Sequence, residues 1–154
     1  MKTKKILFVL LALFLICPVM HSQERVDQLF KEFTDRKGVE HLNMDSTIIR
    51  VAAFFSDLKG VDEIEIFYFD ECDKSIKDKV NSAIASLTGT EDFEIMASVP
   101  VKGFQRVKVF MRVKDELITE LVALRIGDSP VMLRIKGNID PENFKELANK
   151  VSDK

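Results

Sequence analysis

The sequence predicts an α+β domain: a mostly antiparallel sheet, built from a C-terminal four-strand meander and one earlier strand, with helices packed mainly on one face. Three observations predict it. Apolar residues recur every second position in four successive runs after Thr90. Only short turns separate those runs, which is the signature of an antiparallel meander. Before and after the meander, apolar residues recur instead at helical spacing, and an isolated strand-like run at Val61–Phe69 precedes one such stretch.

Each element follows in order. Val26, Leu29, Phe30 and Phe33 fall at i, i+3, i+4 and i+7, one face of a helix that Gly38 ends. Val39 to Leu42 reads as a short strand. Asp45 or Ser46 caps a helix running to about Leu58, apolar on nearly all sides and therefore buried on more than one. Gly60 closes it. In the strand Val61–Phe69, Ile64 and Ile66 alternate with Glu63 and Glu65. Asp73 or Ser75 opens the next helix, whose inner stripe is Ile76, Val80, Ala83, Ile84 and Leu87, and Gly89 ends it. The meander strands centre on Phe93–Val99, Val107–Val113, Leu117–Arg125 and Val131–Ile135, with turns at Lys102-Gly103, Asp115-Glu116 and Gly127-Asp128-Ser129. Asp140 and Pro141 then start a last helix with Phe144, Leu147, Ala148 and Val151 inward. The Val61 strand is expected to join the same sheet by a right-handed crossover over the Ile76 helix.

The N-terminus fixes the expected compartment. Lys2, Lys4 and Lys5 precede an unbroken apolar run from Ile6 to Ile16, and Pro18 breaks it before the polar Met20–Gln23. These are the regions of a secretory signal, and the run falls short of the roughly 20 residues a spanning helix needs. Cleavage is placed after Ser22, before Gln23, so residues 1–22 are signal and 23–154 a single domain, periplasmic or secreted. Cys17 supports an alternative, a lipid-anchored envelope protein, but Ile16 is a poor residue ahead of a lipidated cysteine. No second apolar stretch could span a membrane. The mature chain would carry 20 basic and 25 acidic residues, and this mild acidity argues against nucleic acid as a partner.

Chemistry-bearing motifs are sparse. No glycine-rich phosphate loop, nucleophile elbow or paired-cysteine metal motif occurs. No catalytic, metal-ligating or cofactor-binding residue is therefore assigned, and no cofactor is expected. Cys72, the one cysteine left after cleavage, reads as a buried apolar residue. An alternative is an unrecognised enzyme or metal-binding protein using Asp70, Glu71, Asp73 or His41. The acids read more simply as residues gathered before a helix, and His41 as structural.

The sheet offers the better surface. If Ile64, Ile95, Val109 and Leu133 point inward, alternation turns Phe67, Phe69, Met96, Phe110 and Met132 outward among charged residues such as Arg106, Lys108, Arg112 and Arg134. An apolar patch rimmed by charge marks an interaction site. The expectation is thus a non-enzymatic exported protein that binds a protein partner through this exposed face or a strand edge. Homo-oligomers through an edge strand or through the helix bearing Phe54 and Phe55 are the companion reading.

The Leu58-Lys59-Gly60-Val61 approach to the first strand, the Ser22-Gln23 signal end, the meander and the Ile135-Lys136-Gly137-Asn138-Ile139-Asp140 segment together carry a resemblance. The chain resembles a family of uncharacterised exported proteins of Bacteroidota-type bacteria, known only as a domain of unknown function. The resemblance implies fold and compartment, and no catalytic residues. In many members the signal looks like that of a lipoprotein, a pattern from which the surroundings of Cys17 depart. Residue by residue, Gly137 reads as the point where the chain leaves the sheet.

Overall fold

A computed structural model describes residues 22–51, 59–89, 93–99 and 106–144. Its centre is a six-stranded antiparallel sheet. The elements run α1 (Ser22–Phe33), β1 (Glu40–Asp45), α2 (Ser46–Val51), β2 (Val61–Tyr68), α3 (Lys74–Ser86), β3 (Glu94–Val99), β4 (Arg106–Lys114), β5 (Leu117–Ile126) and β6 (Val131–Ile139). Strand order across the sheet is β1-β2-β6-β5-β4-β3. The α+β class and the meander β3–β6 are as the sequence predicts. The first strand is longer than expected and reaches Asp45, where it forms an edge beside β2. Four antiparallel steps separate β2 from β3, so these two run parallel, with α3 in the connection between them.

Local chemistry accounts for the element ends. The Asp45 carboxylate accepts the amides of Thr47 and Ile48 at 2.9 and 3.1 Å, which caps α2. Asp140 accepts the amide of Glu142 at 2.9 Å and starts a helical turn at 141–144. Asp73 takes the N-cap position of α3 without a side-chain hydrogen bond. Asp115 and Glu116 both have positive φ, 52° and 65°, as a two-residue hairpin loop matched to the twist of its strands requires. The expected turn at Lys102-Gly103 and the later parts of the helices after Val51 and Phe144 lie outside the described residues.

Gly137 does not take the chain out of the sheet. It stays within β6, opposite Val61. A Cβ on Gly137 would lie 2.0 Å from the Gly60 carbonyl oxygen, and one on Gly60 would lie 2.1 Å from that of Asn138. The Asn138 amide donates to the Gly60 carbonyl at 2.7 Å. The two short segments around Gly60 and Gly137 are thus one feature, a backbone crossing too tight for any side chain.

The main helices cover the face opposite to the one expected. Val26, Leu29, Phe30 and Phe33 of α1 and Val80 and Ile84 of α3 pack on Phe67, Phe69, Phe110, Val122, Leu124 and Met132. Phe30 meets Phe67, and Phe33 meets Phe69, each edge to face at 5.4 Å. Aromatic helix stripes need deep, aromatic partners, and the phenylalanine face supplies them. A second, smaller cluster forms on the other face around Ile49, Ile64, Leu121, Ile135 and Ile139.

Candidate functional site

The structure places the residues expected to form an exposed patch in the core. Phe67, Phe69 and Met132 are 0 % exposed and Phe110 is 1 %. Alternation grouped them correctly, but the helices lie on their side of the sheet. They carry no interaction surface. Met96 belongs to β3, and its side chain lies outside the described residues, as do Cys17 and the rest of residues 1–21. Ser22 and Gln23 are the first two residues of α1.

Three charged residues of that face, Lys108, Glu120 and Arg134, are buried, whereas Asp45, Glu94 and Arg106 are exposed. One row across five strands reads Asp45, Glu63, Lys136, Glu120, Arg112. Glu120, 5 % exposed at its side chain, bridges Arg112 at 3.0 Å and Arg134 at 2.5 Å. Arg134 also pairs with Asp27 of α1 and lies over the Phe30 ring. Burial works against the Arg134 cation, but Glu120 and Asp27 outweigh it and raise its pKa. Arg112 rests on the face of Phe93, 4.8 Å from the ring centre, and its Nη2 has no hydrogen-bond partner. Farther along the same face, the Lys108 ammonium donates to the carbonyls of Ile84, Ala85 and Leu87 at 2.8–3.0 Å. Burial, then Arg106, holds its pKa below the usual lysine value.

His41, Asp70, Glu71, Asp73 and Cys72 do not converge. His41 stacks on Phe67 with ring centres 4.1 Å apart and pairs with Glu65 at 3.0 Å. Asp70, Glu71 and Asp73 are exposed around the loop into α3. The Cys72 thiol is buried, and burial, then Asp73, pushes its pKa up, which favours the thiol over the nucleophilic thiolate. Among the described residues no group of three or more His, Cys, Asp or Glu side chains could hold a metal ion.

The second face of the sheet is the candidate surface, and register defines it. One row crosses all six strands as Leu42, Ile66, Leu133, Ala123, Val109 and Ala97. Beside it runs Glu40, Tyr68, Val131, Arg125, Val107 and Val99, and on its other side Met44, Ile64, Ile135, Leu121 and Met111. Burial is graded across these rows. Ile64, Ile135 and Leu121 are buried beneath Ile49 and its neighbours. Ile66, Leu133, Ala123, Val109, Val131 and Val107 are only half-buried, and Leu42 is 42 % exposed. Arg125 interrupts the apolar field, and its guanidinium holds the Ser129 carbonyl at 2.9 and 2.7 Å. Such a surface can bury apolar area against another molecule; Glu40, Tyr68 and Arg125 are the polar side chains among the described residues of these rows. The apolar half of the alternation was legible in the sequence. That it would be left half-covered was not.

The profile of the family described as Domain of unknown function (DUF4252) matches residues 30–147. The chain belongs to that family. No curated protein and no solved structure matches it. The match spans the crossing of Gly60 and Gly137 and all six strands.

Proposed function

We propose that the chain is an exported, non-catalytic envelope protein that binds a protein partner through the second face of its sheet. The observation that carries this reading is the pair of half-buried apolar rows led by Leu42–Ile66–Leu133 and Tyr68–Val131, on the side of the sheet away from α1 and α3. Apolar residues that keep exposed area in contiguous rows gain free energy when a partner removes that area from water. Export is supported by Lys2, Lys4 and Lys5 before the apolar Ile6–Ile16 run. Cleavage beside Ser22 would keep Val26, Leu29, Phe30 and Phe33, the buried residues described on α1, in the mature chain.

The test uses Val107→Glu with Val131→Glu. Both positions are half-buried and lie opposite Arg125, so each new carboxylate sits beside a cation, and the fold should lose no more than about 3 kcal/mol, checked by urea unfolding. Affinity capture from envelope extracts should retain a defined partner with the parent protein and lose it with the double variant. Unchanged capture refutes the sheet face as the binding surface. Intact mass of the exported chain should begin at Gln23; a lipid-modified Cys17 at the N-terminus would instead place the protein on a membrane anchor.

A further inference from the structure

The two edges of the sheet are finished differently. At β3 the ladder shifts register between Ile95 and Ala97, and Pro100 follows the strand in sequence. Bulges and prolines are devices that stop an edge from pairing with another chain. β1 has neither. Its six residues, Glu-His-Leu-Asn-Met-Asp, pair with β2 without a shift, whereas each of the other four ladders carries one. Leu42 and Asn43, at its middle, are exposed.

We infer that β1 is a pairing edge and that its occupant is β1 of a second copy, antiparallel about a twofold axis beside Asn43. A twofold axis normal to the sheet keeps each face on its own side. Directly opposed residues then share a face, and the axis must pass beside a residue rather than between two. Centred on Asn43, the pairing sets each His41 opposite an Asp45 of the other copy and each Leu42 opposite a Met44. That places each His41 imidazole, already held by Glu65, beside the α2-capping Asp45 carboxylate of the other copy, and sets two apolar pairs on the second face. Centred on Leu42, it would set Glu40 against Met44 and His41 against Asn43, with no charge match. Side-chain and charge complementarity therefore select the Asn43 register. The row Val109–Ala123–Leu133–Ile66–Leu42 would continue into Met44, Ile64 and Ile135 of the second copy. This goes beyond partner binding through the sheet face, and it fails separately, since Val107 and Val131 lie off β1.

Single cysteines test edge and register together. Opposed residues in an antiparallel ladder have Cα atoms about 4.5–5.5 Å apart, within disulfide reach, whereas residues displaced by one diagonal step exceed the roughly 7 Å limit. Full-length parent protein, Asn43→Cys and Leu42→Cys are compared by sedimentation and, after mild oxidation, on non-reducing gels. The parent should sediment at twice the chain mass. Only Asn43→Cys should give a reducible covalent dimer, with the parent, which retains its own cysteines, as the background. A parent that stays monomeric up to millimolar concentration overturns the inference. So does a dimer that Leu42→Cys cross-links as well as Asn43→Cys, or that neither cross-links.

Discussion

Glu120 holds two guanidinium groups, Arg134 under α1 and Arg112 against Phe93, and its surroundings set how much it matters. Desolvated charges are expensive, and a shared carboxylate with good hydrogen-bond geometry is what makes them tolerable. Arg112 and Arg134 both depend on it, with Phe93 and Phe30 closing over them. Glu120→Ala should therefore lower unfolding free energy by about 3–5 kcal/mol, the range seen when one partner of a buried pair is removed. Asp27→Ala removes an acid whose side chain is 48 % exposed, and should cost about 1 kcal/mol or less. Urea unfolding of the two variants measures the contrast, and equal losses would mean the network is as wet at Glu120 as at Asp27. In the sequence Arg112 and Arg134 share a parity with Phe110 and Met132 and read as part of an outward face. What covers Arg134 is a helix more than a hundred residues away in sequence, and strand periodicity does not encode that contact.

At the scale of elements, beginnings were more legible than ends. Asp45 and Asp140 cap by reaching two or three residues along the chain, so a local reading finds them. The stripe of α3 was legible too, with Val80 and Ile84 fully buried. Its C-terminus is held from elsewhere. Lys108, on β4, brings an ammonium group with three donors to the last carbonyls of the helix, where the macrodipole is negative. Lys108→Met keeps most of the apolar stem and removes the donors. It should destabilise the fold by about 1–3 kcal/mol, the cost of leaving buried acceptors unpaired. Amide exchange in the last turn of α3 should accelerate in the same variant; an unaltered turn and stability would mean water replaces the ammonium at no cost. The crossing at Gly60 and Gly137 was likewise half legible. Each glycine stood out, but their contact joins positions far apart in sequence.

For the whole molecule, the α+β class followed from two hydrophobic rhythms, while the choice of face did not. Both sides of these strands are apolar, so alternation alone sorts residues into two sets without saying which set receives the helices. Volume decides it. Phe30 and Phe33 of α1 fit against Phe67 and Phe69, leaving the slimmer Val, Ile and Leu set for the second face. The placement of β1 at an edge was equally out of reach, because strand order is a long-range property. The functional proposal rests on this asymmetry between a sealed aromatic face and a half-covered aliphatic one.

Methyl NMR with a soluble paramagnetic agent tests that asymmetry directly. Methyls of Leu42, Val107, Val131 and Leu133 should broaden strongly, while those of Val80, Ile84, Val122 and Leu124 keep their intensity. Broadening of Val122 and Leu124 with protection of Val107 and Val131 would contradict the account.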